Sequence, residues 1–203
     1  MQTISCYSCF IITQTPCKTL IMKPIPFLQK TILVTILLNS LGLYSQTAKI
    51  PWTTDWSPNG KYIAVGGETK GLNIYNDSLE LLDHYDFDND ITRIQWHPTL
   101  PLLAVVTQME SKMPKAGILN YTENEWVYID GYGAGGRGLD WSTNGEYLAL
   151  GDNNGNVLVF TKEGNLVWKK KIDPKLTAGL SWHPVNNKLV VVGSKINILN
   201  FTI

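Results

Sequence analysis

The sequence repeats one short pattern four times, and this repetition constrains the fold more than any other feature. In each copy a strand-like segment ends in Trp, and a tight turn and an apolar run follow. Successive copies of this Trp are separated by 40, 45 and 41 residues. The copies span 53–67, 92–106, 137–151 and 178–193, and their anchors are Trp56, Trp96, Trp141 and Trp182. Because chance rarely produces four such copies, we interpret the chain as an array of equivalent structural units.

Each copy predicts a series of short strands. The apolar runs YIAV, LLAVV, YLAL and KLVVV are continuous rather than alternating, which is typical of strands buried on both faces. A polar turn and a third strand follow in every copy, whereas an amphipathic fourth strand follows only in the first three. Four-stranded antiparallel units repeated every 40–45 residues predict an all-β fold, a β-propeller of about four blades.

The copies resemble WD-repeat blades, and LDWSTNGEYLALGDNNGNVLVF (139–160) does so most closely. The WD and GH dipeptides are absent, so the resemblance is to a divergent WD-repeat-like β-propeller. A Tol-type periplasmic propeller or a quinoprotein-like one would keep the same fold. Thr69 and Asn154 stand where the family has a turn aspartate. We therefore expect packing, more than the family's buried polar network, to hold these blades together.

The missing fourth strand leaves two interpretations of the ring. A closed propeller normally completes its last blade with a strand from the opposite end of the chain. The counterpart of that strand would lie near 40–45, inside a predicted signal peptide. The chain forms either a tight four-bladed ring with one three-stranded blade, or an arc. An arc would be a truncated product or half of a larger ring, and its apolar faces would need cover, for example by self-association.

A secretory signal peptide is predicted over about 22–45. Lys23 and Lys30 lie in a basic segment that precedes the apolar stretch TILVTILLNSLGLYS, which is short for a membrane span. Met22 is the expected start of translation, and cleavage is expected after Ser45. An uncleaved anchor and a strand of the domain are the alternatives.

The expected organisation is therefore a 1–45 leader and WD-repeat-like propeller blades over 46–203, in a secreted or periplasmic protein. All three cysteines lie in the leader, so stability must come from packing rather than from disulfides. The chain carries 17 basic and 17 acidic residues, and this balance excludes an electrostatic argument for nucleic acid as a partner. After cleavage no membrane span is expected, and no cofactor is predicted.

An acidic segment supplies only weak metal candidates, Asp86, Asp88 and Asp90. Their alternate spacing resembles the opening of a calcium-binding EF-hand loop. The motif fails, because Ile91 and His97 occupy the positions that require Gly and Glu. No metal site is predicted, although a calcium-dependent propeller hydrolase or lyase remains the enzymatic alternative.

No catalytic set of residues is found. The blades contain no Cys and no nucleophile elbow, so neither a Ser-His-Asp nor a Cys-His arrangement can be argued. His97 and His183 occupy the same Trp-His-Pro position in two copies, which indicates a structural role in the turn. We therefore predict a protein that is not an enzyme.

Function in such a scaffold is expected in the loops. The one insertion between equivalent strands is 107–117, whose apolar residues packing does not require. The predicted contact residues for a partner protein are Met109, Lys112, Met113, Pro114 and Arg137. The favoured hypothesis is an exported, non-catalytic interaction module, and the alternatives are the calcium-dependent enzyme and an inactive fragment of a longer propeller.

Overall fold

The computed structural model describes residues 49–108 and 116–201. These residues belong to one unit, Ala48–Ile203. The predicted 1–45 leader and the predicted contact residues Met109, Lys112, Met113 and Pro114 lie outside the described residues. The described part of the chain contains no helix that is long and apolar enough to span a membrane.

The strands follow the four sequence copies, and each copy forms one antiparallel sheet, which we call blades 1 to 4 in chain order. Blade 1 contains β1 (Pro51–Trp56), β2 (Tyr62–Gly67), β3 (Gly71–Asn76) and β4 (Leu81–Asp86). Blade 2 contains β5 (Ile91–Trp96), β6 (Leu102–Thr107), β7 (Ala116–Asn120) and β8 (Glu125–Tyr128). Blade 3 contains β9 (Gly138–Trp141), β10 (Tyr147–Gly151), β11 (Asn156–Thr161) and β12 (Leu166–Lys171). Blade 4 contains β13 (Gly179–Trp182), β14 (Lys188–Val192) and β15 (Ile196–Asn200).

Within each blade the strands are hydrogen-bonded in the order in which they occur in the chain. The first strand lies at the inner edge, where β1 contacts β5, β5 contacts β9, and β9 contacts β13. Every repeated Trp ends such an inner strand. The prediction of an all-β propeller with blades anchored by Trp is therefore confirmed.

Blade 4 has three strands, as the sequence predicts, because β15 has no further strand beside it among the described residues. The prediction of burial on both faces is wrong for this blade. Residues of β10 are buried from Leu148 to Gly151, whereas β14 alternates between exposed and buried residues. Both strands are continuously apolar, so the difference comes from the lack of a described blade on one side of β14. The ring is not closed within the described part of the chain.

The hydrophobic core lies between the blades, in three separate clusters. The first cluster joins blades 1 and 2 around Ile74 and Leu103, the second joins blades 2 and 3 around Phe160, and the third joins blades 3 and 4 around Leu189. All four side chains are fully buried. Each blade is thus stabilised by its neighbours, as expected for repeats that cannot bury both faces alone.

Polar contacts also tie the blades together at their inner edges. Asp55 Oδ2 accepts a hydrogen bond from the backbone N–H of Trp96 at 2.7 Å. Asp140 Oδ2 accepts one from the backbone N–H of Trp182 at 2.6 Å. Gln95 makes the equivalent contact from blade 2 to blade 3. Polar ties therefore accompany the expected packing, since the residue before each of the first three repeated Trp residues binds the next blade.

Candidate functional site

The inner strands of all four blades converge on one cavity of about 430 Å³, which we call the inner cavity. Its lining residues come largely from two equivalent positions of the repeat, the third and fourth before each Trp. These residues are Trp52, Thr92, Arg93, Arg137, Ala178 and Gly179. Because equivalent positions of a propeller face the same axis, the repeat itself collects these side chains at one place.

Two β-bulges shape the wall of the inner cavity. The register between β1 and β2 shifts at Trp52, and the register between β5 and β6 shifts at the equivalent residue, Thr92. A bulge leaves one residue unpaired and re-aims its side chain. The indole N–H of Trp52 donates to the carbonyl oxygen of Ile91 at 2.7 Å, which fixes the ring beside blade 2.

Both arginines of the chain, Arg93 and Arg137, line the inner cavity. Both are exposed. Neither guanidinium group makes a hydrogen bond or an ion pair with any described residue. No Asp or Glu is among the residues that line the inner cavity. The cavity therefore presents two guanidinium groups without a bound carboxylate to neutralise them.

The backbone that carries Arg137 is held by buried contacts. The Thr92 hydroxyl lies within hydrogen-bond distance of the carbonyl oxygen of Gly136, directly before Arg137. The Tyr132 hydroxyl donates to the carbonyl oxygen of Gly151 at 3.1 Å, and burial raises the pKa of Tyr132 well above its ordinary value. The segment GYGAGG (131–136) is therefore anchored on blade 3. It precedes a strand, β9, and not the helix that a dinucleotide-binding fingerprint requires.

A second cavity of about 520 Å³ adjoins the first and shares Thr92, Arg137 and Ala178 with it. Its lining also includes Thr177, whose buried hydroxyl oxygen has no hydrogen-bond partner within 49–108 and 116–201. Buried polar groups are normally satisfied by protein or by ordered water. The inner surface therefore offers both positive charge and an unused polar group beside Arg137.

One carboxyl group lies near this surface without neutralising it. Burial raises the pKa of Asp55, while its hydrogen bond from Trp96 and the positive charge of Arg93 act in the opposite direction. The Asp55 carboxylate is occupied by the tie to blade 2. Arg93 thus keeps its donors available.

The sequence-predicted residues divide into those near the inner cavity and those elsewhere. Arg137 lies on the inner cavity. Asp86 lies at the end of β4, where its Oδ1 is 3.0 Å from His84 Nε2. The Asp90 carboxylate accepts a hydrogen bond from Gln108. Within 49–108 and 116–201, no group of three or more His, Cys, Asp or Glu side chains is arranged to hold a metal ion.

The two histidines of the Trp-His-Pro turns have the predicted structural role. His97 Nδ1 accepts hydrogen bonds from the backbone N–H groups of Thr99 and Leu100 at 3.1 and 2.9 Å. His183 Nδ1 makes the equivalent two contacts in blade 4. The other ring nitrogen of His97 donates to the carbonyl oxygen of Gly145 at 3.0 Å, which joins the turns of blades 2 and 3.

Gly145 shows how closely those turns approach. Its φ is +75°, and a Cβ atom at this position would lie 2.1 Å from His97 Nε2. Only glycine meets both requirements, because left-handed φ values are costly for other residues. The sequence pair Asn144-Gly145 indicated the turn, whereas the contact with His97 follows from the packing of the blades.

Sequence reasoning missed Trp52 and Arg93 as candidate functional residues. The repeat contains a signal for both residues, because Trp52 and Arg93 lie four and three residues before a repeated Trp. Other residues that line the inner cavity lie at the same distances before the repeated Trp of their own blade. The fold was needed to show that these positions face one cavity.

The structure is similar to a solved β-propeller. It matches the crystal structure of the Cps50 (Swd1) β-propeller domain from Myceliophteria thermophila with a TM-score of 0.62 and 13% sequence identity. The match covers 73% of this chain and 51% of that domain, so the chain spans about half the length of the propeller that it resembles. No family model matches the sequence. No curated protein matches it. The likeness shows the WD-repeat-like propeller fold.

Proposed function

We propose that this chain is an exported, non-catalytic interaction module, and that its inner cavity binds an acidic segment of a partner protein between Arg93 and Arg137. The observation that carries the proposal is that the two arginines of the chain line one concave surface and neither binds a carboxylate among the described residues. Guanidinium groups bind carboxylates through paired, charge-assisted hydrogen bonds. A β-propeller is a common scaffold for protein interactions, and it holds such groups on rigid strands.

Trp52 complements the two charges. Trp52 lines the inner cavity and is 41% exposed, and its ring is fixed by the hydrogen bond to Ile91. A partly exposed aromatic residue beside charged anchors is typical of sites that carry much of the binding energy in protein interfaces. We therefore expect the bound segment to combine acidic residues with an apolar side chain that packs on Trp52.

A binding experiment with defined peptides tests the proposal. The probe is a fluorescent peptide rich in Glu with one central Leu, and its control replaces each Glu by Gln. Fluorescence anisotropy at low and high salt should show binding of the acidic peptide only, weakened by salt. Arg93→Gln and Arg137→Gln should each weaken binding by about tenfold or more, since a charged hydrogen bond contributes about 1.5–3 kcal/mol.

Lys61→Gln is the matched control, because it removes one positive charge from an exposed turn outside the inner cavity. It should change peptide affinity by less than twofold. If all three variants weaken binding equally, general electrostatic attraction rather than the inner cavity would explain the affinity. Equal binding of the acidic peptide and its Gln control would contradict the proposal.

The insertion between β6 and β7 belongs to the same proposal as a second contact. Met109, Lys112, Met113 and Pro114 are assigned to it by the sequence alone. Replacing Met109 and Met113 by Ser should weaken capture of a partner and leave the melting temperature unchanged. A lower melting temperature would instead indicate that the insertion contributes to stability.

Export is proposed from the signal-peptide pattern over 22–45. Expression in a secreting host should yield a product whose mass corresponds to a chain beginning at Gln46. Retention of the intact leader on the product would contradict this part of the proposal. Self-association is also included in the proposed function, since blades 1 and 4 each leave an apolar face exposed.

A further inference from the structure

The chain contains three contacts between neighbouring blades, and each of them includes a buried repeated Trp. Each of the later repeated tryptophans lies between its own blade and the preceding one, and each is buried. Trp96 stacks with Tyr62 of blade 1 at 6.5 Å between ring centroids. The indole N–H of Trp141 donates to the carbonyl oxygen of Gln95 in blade 2 at 3.2 Å. The exposed fractions of Trp96, Trp141 and Trp182 are 4, 4 and 8%.

The first repeated Trp breaks this rule. Trp56 is 52% exposed, although it ends β1 as the other three end their inner strands. It pairs with Ile63, as Trp96 pairs with Leu103, so it lies on the face of blade 1 that points away from blade 2. No described blade precedes blade 1. We call this face the leading face.

Blade 4 carries the opposite half of the contact. The strand register makes Val190, Val192, Ile196 and Ile198 the equivalents of Ala149, Gly151, Val157 and Val159 in blade 3. The blade 3 residues are buried under blade 4. Ile196 and Ile198 are instead 74 and 67% exposed. We call this apolar surface of blade 4 the trailing face.

From these observations we infer that the trailing face of one chain packs on the leading face of a second copy, and that two copies close an eight-bladed ring. The two faces are the two halves of the contact that the chain already makes with itself three times. A trailing face that touches a leading face reproduces that contact with apolar residues at the equivalent positions, although the blade 4 side chains are larger than those of blade 3. This inference specifies the self-association of the proposed function and is independent of peptide binding at the inner cavity.

A second copy is the occupant that these faces fit. In such a dimer the trailing face of each chain packs on the leading face of the other. The two junctions are identical, are related by a two-fold axis and leave neither face unpaired. Eight blades lie within the range that propellers adopt. The likeness to a propeller domain of about twice the length covered here agrees with a half ring.

The polar tie at the new junction is weaker than at the internal ones. The residue before each repeated Trp is Asp55, Gln95, Asp140 and Ser181 in the four blades. The first three accept a hydrogen bond from the backbone N–H of the next Trp. Ser181 occupies this position on the trailing side, where its short hydroxyl donates to Asp140 at 3.2 Å. Packing must therefore carry most of the junction.

The solution mass of the purified chain tests the inference. Light scattering coupled to size exclusion should give twice the chain mass. Trp56→Glu and Ile198→Glu should each lower the mass to one chain at the same concentration, with unchanged far-UV circular dichroism. Val185→Glu is the matched control, because Val185 is 85% exposed in a turn of blade 4 and off the trailing face. It should remain a dimer.

Mixing the two variants distinguishes this geometry from other dimers. The trailing face of the Trp56→Glu chain and the leading face of the Ile198→Glu chain are both intact. The mixture should therefore form a heterodimer through one junction, although neither variant forms a dimer alone. A heterodimer would not form in this way if the dimer joined two leading faces or two trailing faces.

Ser181→Gln provides a gain-of-affinity test, because it copies Gln95, whose side-chain oxygen accepts a hydrogen bond from the next Trp and whose amide donates to a neighbouring Asp. The dimer dissociation constant should fall about tenfold. A monomer at all concentrations would overturn the inference, and so would open-ended assemblies larger than a dimer. A normal peptide affinity in a monomeric Trp56→Glu chain would leave the inner-cavity proposal standing, so the two failures are distinguishable.

Discussion

Asp140 ties blade 3 to both of its neighbours, so its replacement tests whether polar contacts help to hold the arc together. Its Oδ1 accepts a hydrogen bond from Gln95 Nε2 at 2.8 Å, and its Oδ2 accepts one from the backbone N–H of Trp182 at 2.6 Å. Oδ2 also accepts a hydrogen bond from the Ser181 hydroxyl at 3.2 Å, so Asp140→Ala removes the acceptors of three hydrogen bonds. The Gln95 amide and the Trp182 N–H then compete for water at a partly buried edge.

The expected magnitude follows from the three lost bonds, of which the one from the exposed Ser181 hydroxyl contributes least. A hydrogen bond to a charged group contributes about 1.5–3 kcal/mol, and part of this is regained where water reaches the donor. Asp140→Ala should therefore lower the free energy of unfolding by about 2–4 kcal/mol. Asp55→Ala loses the bond from Trp96, at 2.7 Å, and a smaller contribution from the backbone N–H of Trp56, and should cost about half as much.

Urea unfolding followed by tryptophan fluorescence measures these values. Asp140→Asn keeps one acceptor oxygen and should lie between the wild type and Asp140→Ala. Asp130→Ala is the control, because Asp130 is exposed and makes no hydrogen bond or ion pair with a described residue. Its effect should stay within about 0.5 kcal/mol. The reasoning fails if Asp140→Ala costs no more than Asp130→Ala, since the blades would then be held by packing alone.

Three further predictions concern the core, the turn histidine and metal binding. Phe160→Ala should lower the free energy of unfolding by about 3–5 kcal/mol, because Phe160 is fully buried between blades 2 and 3. Tyr75→Ala, at the equivalent but half-buried position of blade 1, should lower it by less than half as much. Equal losses of stability in urea unfolding would contradict this difference in burial. Burial lowers the pKa of His97 below its ordinary 6.5. Below pH 6.5 the unfolded chain therefore binds more protons than the folded chain, and the free energy of unfolding should fall as the pH decreases from about 6.5 towards the lowered pKa. Thermal melts of the wild type and His97→Asn between pH 8 and 5 measure this, and an equal loss in both would assign the effect to another group. Millimolar Ca²⁺ should leave the melting temperature unchanged, since no three carboxylates of the described residues converge, and a rise abolished by Asp86→Asn would favour the enzymatic alternative instead.

Most of the fold is readable from the sequence because its signals are local. A strand that ends in Trp, a turn such as Asn144-Gly145 and an apolar run specify each hairpin within about 15 residues. Four copies at nearly constant spacing then imply equivalent blades. The histidine turns are also local, because His97 and His183 bond the backbone two and three residues ahead.

The candidate site required the tertiary structure, because its residues come from four copies that are far apart in the sequence. Arg93 and Arg137 line one cavity only because the inner strands of blades 2 and 3 face it. The burial of a side chain likewise depends on the neighbouring blade and not on its position in the repeat. Trp56 and Trp96 occupy identical positions in the repeat, yet Trp56 is half exposed whereas Trp96 is covered by the preceding blade. The sequence by itself determined what each blade is, whereas only the packing of blade on blade decided which faces remain free.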